Sequence, residues 1–326
     1  MIKKIQFYIS DTFDPYLNLA KEKLLFDAVE KDTLILYLWQ NENTVVIGKN
    51  QNALSECRTE LLREEGGMLA RRLSGGGAVF HDLGNLNFTF ICATEDLDIS
   101  KHIEVIQKAC ALAGIDTELS GRNDILANGR KFSGNAFYNS RGRSYHHGTI
   151  LINADIEKLD RYLTPPKAKL EAKGVKSVRS RVINLSELSP SLNADNMKTH
   201  LLSAFRDVYG SKPTAFGEID KKQVDALAKR YGSWEYLYGT PLPFNAVCEG
   251  HLSFGNVQLQ IQVKGGIIKA IKFYTDALDA ELSAVIEDSL VSTSFDLASV
   301  SDSLIKVLTE NEAKELTALL KDQIFS

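Results

Sequence analysis

The chain has 326 residues, of which 44% are hydrophobic and 25% are charged, so it has the composition of an ordinary globular protein with room for one large and one small domain. Its formal net charge of −4 argues against a broadly basic surface for nucleic-acid binding. No apolar run approaches the roughly 20 residues that span a bilayer, and the N-terminus has neither the apolar core nor the cleavage site of a signal peptide. The four cysteines form no CxxC pair, so we expect no structural zinc, no disulfide framework and a reducing cytoplasm.

The N-terminal part of the chain predicts one helix and two short strands. Asp14-Pro15 gives an N-cap followed by proline at the first helical position, which is typical of a helix start. The buried face of this helix is predicted from residues that recur at steps of three and four: Leu17, Ala20, Leu24 and Ala28. Two β-prone runs, 34–38 and 44–47, are separated by polar turn residues and predict a hairpin.

The central part alternates strands with helices. We predict strands at 88–91, 131–137 and 149–152, with the Gly/Arg/Ser-rich segment 139–144 as a hairpin loop. Apolar residues at helical spacing predict a helix over 103–114. Strands that are joined both by short turns and by helices imply an α+β fold, with helices packed against mixed sheets.

The later part of the chain predicts a loop, two helices and a domain boundary. Residues Pro165–Ser180 have few apolar anchors and many basic groups, which indicates a mobile loop. Helices are predicted over 194–209 and 221–231. The segment Thr240-Pro241-Leu242-Pro243 then interrupts the chain, so we expect a large domain over 1–240 and a small one over 245–326.

The small C-terminal domain is predicted to combine a hairpin with helices. Alternating runs at 257–263 and 267–274 flank Gly265-Gly266, which is a hairpin signal. Apolar residues at helical spacing then predict one helix over 282–290 and one or two more over 304–325. The sequence shows no chemically active cluster in this domain, so its role stays open.

A triple glycine, Gly75–Gly77, follows Arg71 and Arg72 and is the most informative stretch. Glycine lets the main chain approach a ligand closely, and free backbone N–H groups beside guanidinium groups suit a phosphate. A flexible turn with solvated arginines explains the same residues equally well. The spacing fits neither a Walker loop nor a dinucleotide fingerprint, so a phosphate site here belongs to another architecture.

Two more polar clusters accompany the glycines. On the strand predicted over 131–137, alternation places Lys131, Ser133 and Asn135 on one face, with Phe132 and Ala136 on the other. In the second cluster His146 and His147 are adjacent on a strand, so they point to opposite faces and at most one serves a given site. A structural role is the usual alternative for a single polar lysine or histidine.

Taken together, these segments resemble the lipoate–protein ligases. The matching segments are 45–52, Arg71–Asn85, Ser120–Asp124, Lys131–Ala136, His146–Thr149, Ala172–Gly174, Ser177–Leu185 and Ser233–Tyr236. Several long motifs in the same order make a chance similarity improbable, and the resemblance extends more weakly into the C-terminal domain.

The resemblance implies a fold, a reaction and partners. The fold is that of biotin and lipoate ligases, related to class II synthetases, with the small C-terminal domain of the long form. The reaction uses ATP and Mg²⁺: lipoate forms lipoyl-adenylate, and the lipoyl group then passes to one lysine of an acceptor domain. Acceptors would be the E2 subunits of 2-oxoacid dehydrogenase complexes or the glycine-cleavage H protein. No nucleic acid or membrane is implied, and a monomer is the simplest expectation.

The resemblance also assigns roles to residues. Lys131 would be catalytic and bond the lipoyl carboxylate and the adenylate, while Asp124 would organise magnesium. Lys173–Val182 would close over the adenylate and exclude water. The residues implied to bind ATP or lipoyl-adenylate are Arg72, Ser74, Gly75, Gly76, Gly77, Ala78, Val79, Phe80, His81, Asn85, Asn123, Asp124, Lys131, Ser133, Gly134, Ala136, His147, Gly148, Lys173, Val178, Ser180, Arg181 and Val182.

Three rival functions are consistent with parts of the pattern. An octanoyl or lipoyl transferase without ATP would use a cysteine nucleophile, whereas all four cysteines lie outside the matched motifs. A biotin ligase would share the fold and the adenylate, but the long motifs match the lipoate branch. A non-enzymatic nucleotide- or acyl-binding sensor would require the Lys131 and His147 segments to be relics.

Overall fold

The structure is a computed structural model that describes residues 2–120, 124–164, 181–239 and 244–325. The strands are β1 (Lys4–Ile9), β2 (Thr33–Trp39), β3 (Thr44–Ile47), β4 (Met68–Arg71), β5 (Val79–His81), β6 (Asn85–Ala93), β7 (Glu118–Ser120), β8 (Asp124–Ala127), β9 (Arg130–Ser140), β10 (Arg143–Leu151), β11 (Thr214–Ala215), β12 (Ala246–Leu252), β13 (Gly255–Lys264) and β14 (Ile267–Thr275). The α-helices are α1 (Pro15–Ala28), α2 (Ala53–Glu56), α3 (Thr59–Glu64), α4 (Ile99–Leu112), α5 (Ile156–Tyr162), α6 (Ala194–Tyr209), α7 (Lys221–Tyr231), α8 (Trp234–Tyr238), α9 (Leu282–Leu290), α10 (Leu297–Ile305) and α11 (Glu310–Gln323).

The largest sheet has eight strands in the order β11-β1-β2-β6-β10-β9-β8-β7 and is covered on both faces. Helices α4 and α6 pack on one face, where their apolar side chains meet alternate residues of β2 and β6. Helices α1 and α7 cover the other face. All seven residues of β2 are therefore buried, because each of its faces lies under a helical layer. The predicted α+β class is confirmed.

A second sheet, β4-β3-β5, carries the glycine-rich segment. Strand β3 pairs with β4 in parallel and with β5 in antiparallel orientation. The chain between the ends of β4 and β5 runs from Arg72 to Ala78, so both of its ends are held by the same central strand.

The hairpin predicted from runs 34–38 and 44–47 is wrong. Both runs are strands, but β2 pairs with β1 and β6, whereas β3 belongs to the second sheet. Asn43 takes a positive φ of 39° just before β3, and the chain leaves the first sheet there. The polar residues between the two runs do separate two strands, but the strands with which each one pairs are distant in sequence.

Helix α1 begins at the predicted position, but its buried face differs from the prediction. Asp14 caps it by accepting hydrogen bonds from the backbone N–H groups of Tyr16 and Leu17. The buried residues are Pro15, Asn18, Leu19, Ala20, Lys21, Glu22, Leu25 and Phe26, whereas Leu17 and Leu24 are only partly buried and Ala28 is exposed. Polar Asn18 and Glu22 occupy the buried face because they make specific hydrogen bonds there.

The C-terminal region (residues 244–325) forms a three-stranded antiparallel sheet, β12-β13-β14, with helices α9–α11. The buried residues of its apolar cluster run from Cys248 to Leu320, and Ala246 packs against them. The hairpin across Gly265-Gly266 is confirmed, and both glycines take positive φ angles, 60° and 72°. The predicted boundary Thr240–Pro243 and the predicted loop Pro165–Ser180 lie outside the described residues. Within the described ranges, no helix is both long enough and apolar enough to cross a membrane.

Candidate functional site

A cavity of about 450 Å³ lies where the first sheet, the glycine-rich segment and the C-terminal region meet. Its wall comprises Trp39, Val46, Arg72, Gly76, Gly77, Ala78, Val79, His81, Asn87, Asp124, Lys131, Gly134, Asn135, Ala136, His147, Gly148, Thr149, His251, Ser253, Phe254, Gly255, Asp276 and Leu278. Residues from all three clusters found in the sequence thus reach one cavity.

The guanidinium groups of the two arginines beside the glycines donate hydrogen bonds mostly to backbone carbonyl oxygens of the protein. The buried guanidinium of Arg72 donates to the carbonyl oxygens of Gly75 and Gly77, each at 2.8 Å, and to that of Val46 at 3.1 Å. Arg71 donates to the carbonyl oxygens of Gly48, Lys49 and Gln51 and to two carbonyls of α8. Burial lowers the pKa of each arginine to about 10, so both remain charged at neutral pH. Arg72 therefore fixes the shape of the glycine segment, and its charge lies beside the cavity.

A β-bulge brings Lys131 onto the cavity face of β9. The pairing of β8 with β9 shifts by one residue, so Leu126 pairs with Lys131 while Ile125 pairs with Ser133. Phe132 is the extra residue, and a bulge of this kind reverses the alternation of side chains. The prediction that Lys131, Ser133 and Asn135 share one face is therefore wrong. Ser133 is buried on the face opposite Lys131.

Lys131 and Asp124 form the ion pair of the cavity. The ammonium nitrogen of Lys131 lies 2.7 Å from Asp124 Oδ1, and each side chain keeps about a third of its surface exposed, 36% and 33%. A Cβ at Gly134 would lie 2.9 Å from this ammonium nitrogen, so glycine leaves the space that Lys131 occupies. The pair thus presents a partly exposed cation on strand β9.

The adjacent histidines of β10 separate as predicted. His147 lines the cavity, and its two ring nitrogens lie 2.7 Å from Ser74 Oγ and 2.9 Å from Glu22 Oε1. His146 is on the other face, where its Nε2 lies 2.8 Å from Asn135 Oδ1. Both nitrogens of His147 are engaged by protein groups, so this residue is a wall of the cavity rather than a free base.

His81 is a neutral part of the wall. Its Nδ1 accepts from the side-chain amide of Asn41 at 3.2 Å, which puts the ring proton on Nε2. Burial and the nearby Arg72 charge lower the pKa of His81 to about 3. This imidazole is therefore uncharged at physiological pH.

The C-terminal region closes one side of the cavity and is joined to the glycine segment. The Gly76 N–H donates to the Ala277 carbonyl at 2.8 Å, and a Cβ at Gly75 would lie only 2.3 Å from that same oxygen. Lys49 and Glu281 form an ion pair at 2.6 Å across the same contact. Asp276 and Leu278 supply cavity wall, although the sequence had indicated no chemistry in this region.

The predicted site residues fall into three groups. Those in the cavity wall are Arg72, Gly76, Gly77, Ala78, Val79, His81, Asp124, Lys131, Gly134, Ala136, His147 and Gly148. Those described elsewhere are Ser74, Gly75, Phe80, Asn85, Ser133, Arg181 and Val182. Of these, Ser74 lies directly behind His147, and Val182 forms a bridge with Lys131 on β9. Asn123, Lys173, Val178 and Ser180 lie outside the described residues.

Sequence reasoning missed Glu22, Trp39 and the C-terminal wall. Glu22 is only 1% exposed and bonds His147, yet in the sequence it resembles any surface acid of an amphipathic helix. A carboxylate amid apolar helix positions was the one available signal. Trp39 ends a fully buried strand and shows no separate signal.

The described residues show neither a ready-made metal cluster nor a cysteine in the cavity wall. Within the described ranges, no three His, Cys, Asp or Glu side chains cluster as a metal site. Asp124 is nevertheless suited to Mg²⁺, which usually binds proteins through one or two carboxylates together with substrate phosphates. All four cysteines are buried and unpaired, and none of them belongs to the cavity wall.

Two family models match the chain. The lipoyl protein ligase A/B catalytic domain matches residues 14–206, and the bacterial lipoate protein ligase C-terminus matches residues 242–321. Two curated relatives are each called lipoate-protein ligase A. The protein of Bdellovibrio bacteriovorus is 39% identical and covers 94% of this chain and 93% of its own length. That of Psychrobacter cryohalolentis is 38% identical, with coverages of 90% and 89%.

Solved structures show the same likeness. The P. falciparum protein LipL1, in complex with lipoate, has a TM-score of 0.84 at 28% identity and covers 98% of this chain and 99% of its own. A lipoate-protein ligase A bound with ATP has a TM-score of 0.62 at 25% identity, covering 73% and 99%. A bipartite ligase of Thermoplasma acidophilum, studied with its E2 lipoyl domain, has a TM-score of 0.62 at 25% identity, covering 76% and 100%. The matched catalytic domain spans more than half of this chain, which therefore belongs to the lipoate–protein ligase family.

Proposed function

We propose that this ATP-dependent lipoate–protein ligase carries out both of its half-reactions at the Lys131–Asp124 pair. The observation that carries the proposal is a partly exposed cation that shares one cavity with an apolar wall and the glycine segment. Lipoate combines an apolar ring and chain with one carboxylate. The cavity has an apolar wall that suits the chain and a lysine that suits the carboxylate.

The lipoyl chain is proposed to lie against the apolar part of the wall. Val46 and Val79 are paired across β3 and β5, and Trp39 lies beside them in the same wall. Burial of apolar surface contributes about 25 cal/mol per Å², so this wall favours an acyl chain over a polar acid. The carboxylate would then reach Lys131.

In the first half-reaction an oxygen of the lipoate carboxylate attacks the α-phosphorus of ATP, and the bond to pyrophosphate breaks. Two anions must approach each other, so fixed positive charge and oriented N–H donors lower the barrier. Lys131 supplies the cation, and the backbone of 76–78 supplies donors whose placement depends on the bonds of Arg72. Mg²⁺ would bind the phosphates together with Asp124, since a single carboxylate suffices when phosphates complete the coordination.

In the second half-reaction the ε-amine of an acceptor lysine attacks the acyl carbon of lipoyl-adenylate, and AMP leaves as the amide forms. Lys131 would stabilise the charge on the departing phosphate. The acceptors are proposed to be lipoyl domains of E2 subunits or the H protein. A relative in Thermoplasma acidophilum that is studied with its E2 lipoyl domain supports this class of acceptor.

The cavity favours this reaction over cysteine-based acyl transfer. A transferase that acts without ATP needs a reactive thiolate in the pocket, whereas burial raises the pKa of each cysteine thiol to about 12. None of the four lies in the cavity wall. The two curated relatives are also named for ligase A.

Three organisational features complete the proposal. Residues 1–240 would form the catalytic domain and 245–326 an accessory domain, which the separate apolar cluster of the C-terminal region supports. Four buried, unpaired cysteines support a reducing cytoplasm as the site of action. A monomer is proposed as the simplest arrangement.

The test is mass spectrometry of a purified lipoyl domain after incubation with the enzyme, lipoate, ATP and Mg²⁺. We expect a mass gain of one lipoyl group that requires ATP and is accompanied by pyrophosphate release. Pyrophosphate release without a mass gain would show an activating enzyme that needs a separate transferase. A mass gain from lipoyl carrier protein without ATP would replace the proposal by acyl transfer.

A further inference from the structure

A chain of buried hydrogen bonds begins at the apolar part of the cavity wall. The Trp39 indole N–H donates to Thr89 Oγ1 at 3.0 Å, and the Thr89 hydroxyl donates to Glu22 Oε1 at 2.7 Å. The same carboxylate oxygen lies 2.9 Å from His147 Nδ1. Glu22 thus joins two residues of the cavity wall, Trp39 and His147, from behind.

The chain continues from His147 to the glycine segment. His147 Nε2 lies 2.7 Å from Ser74 Oγ, which also accepts from Arg72 Nε at 3.1 Å. Arg72 then donates through Nη2 to the carbonyl oxygens of Gly75 and Gly77, each at 2.8 Å. Ser74 is therefore the link between the His147 half and the Arg72 half.

The donors and acceptors of this chain fit only one direction when His147 is neutral. Arg72 can only donate, so the Ser74 oxygen accepts from it and the Ser74 hydroxyl hydrogen is left for His147 Nε2. The remaining ring proton is then on Nδ1 and is donated to Glu22. A hydroxyl is required at position 74, because it must accept from one neighbour and donate to the other.

Because the hydrogen-bond chain is buried, a change at either of its ends affects the other end. Trp39, His147, Arg72 and Gly77 line the cavity, whereas Ser74 and Thr89 are 0% exposed and lie behind it. Water cannot replace a lost partner of a fully buried hydroxyl, so a shift at one member strains the next. A ligand that holds either end of the chain in place therefore also holds the side chains at the other end.

We propose that Ser74 is a positioning residue that couples the acyl part of the cavity to the glycine segment. The inference rests on the proposed function, because it takes the ligands to be a medium-chain acyl carboxylate and a nucleoside triphosphate. Because each buried member of the chain holds the next, a ligand that holds one end in its binding geometry also holds the other end, so the second ligand binds more tightly. The coupling is reciprocal: each ligand strengthens the other by the same factor.

Calorimetry on the full chain tests the coupling. The probes are lipoate and α,β-methylene-ATP, which cannot release pyrophosphate, each titrated with and without saturating amounts of the other. In the wild type we expect each ligand to lower the Kd of the other by about 5- to 150-fold, the usual range of coupling between sites. In Ser74→Ala the factor is expected to fall below about twofold, and Ser74→Thr, which keeps a hydroxyl, should restore part of it.

Two further variants separate coupling from general destabilisation. Ser144 is equally buried on the strand of His147, but its hydroxyl donates to Thr94 on the face away from the cavity, so Ser144→Ala should keep the full factor. Thr89→Val breaks the chain beyond Glu22 and should lower the factor even if Ser74→Ala fails to fold.

The outcomes distinguish the inference from the proposed function. Independent binding of both probes to the wild type, or an unchanged factor in Ser74→Ala and Thr89→Val, would overturn the coupling alone. If the wild type binds neither probe, the proposed function fails and the coupling fails with it.

Discussion

Lys131 carries the charge on which the proposed chemistry depends, so its removal should affect the first half-reaction most directly. Deleting one preorganised contact to a developing charge typically costs about 10²–10³-fold in rate. We expect Lys131→Ala to lose at least that much in lipoate-dependent pyrophosphate release. Its midpoint of thermal unfolding should stay near that of the wild type, because about a third of each side chain of the ion pair is accessible to water.

A control lysine makes this result specific. Lys108 pairs with Glu104 on the surface of α4, and neither residue belongs to the cavity wall, so Lys108→Ala should keep normal pyrophosphate release. Near-normal release by a folded Lys131→Ala enzyme would refute the assignment.

Three buried histidines should make stability depend strongly on acid. Burial lowers the pKa of His81 and His102 to about 3 and that of His146 well below its usual value. Below pH 6.5 the unfolded chain binds protons at these sites while the folded chain does not, so stability is lost as the pH falls. Each such histidine contributes about 1.4 kcal/mol of lost stability per pH unit until its folded pKa is reached.

Urea unfolding at pH 7, 5.5 and 4.5 measures this dependence. His102→Gln should remove about one third of the histidine-dependent slope, since one of the three groups no longer titrates. A slope equal in wild type and His102→Gln would show that His102 is protonated in the folded protein.

At the scale of elements, the glycine segment depends on close contact with the end of β3. A Cβ at Gly48 would lie 2.2 Å from the carbonyl oxygen of Gly76, a backbone atom that cannot move without the whole segment. We expect Gly48→Ala to cost about 1–3 kcal/mol in stability and to weaken ATP binding, because the N–H donors of the segment shift. Gly217 has open space around it, so Gly217→Ala is the matched control for thermal unfolding and ATP titration.

Elements with strong local signals were predictable, and those set by distant partners were not. The helices predicted at 194–209 and 221–231 have those bounds in the structure, because their caps and apolar spacing are local. The predicted hairpin at 34–47 failed because β2 and β3 pair with strands far along the chain. The prediction that Lys131 shares a strand face with Ser133 was wrong because alternation assumes an unbroken register. The bulge at Phe132 interrupts that register and depends on the pairing with β8.

Over the whole molecule, the cavity needs a part of the chain in which the sequence showed no chemistry. Twelve of the predicted site residues lie in the cavity wall, yet the wall is completed by residues of the C-terminal region such as Phe254 and Asp276. Contacts between units that are over 200 residues apart in sequence, such as Lys49 with Glu281, leave no periodic or motif signal in either segment. The residues of the site were therefore easier to predict than the enclosure around them.

Because the C-terminal region closes the cavity, we expect this region to move during the reaction. The Gly76 N–H that a phosphate would need is already bonded to the Ala277 carbonyl, so a bound adenylate competes with the C-terminal region for the same donor. We expect a non-hydrolysable lipoyl-adenylate analogue to increase the radius of gyration measured by small-angle scattering. Gly75→Ala should show the larger radius without ligand, because its Cβ would lie 2.3 Å from the Ala277 oxygen. A radius that is the same with and without the analogue in the wild type would mean that the acceptor lysine enters without displacement of the C-terminal region.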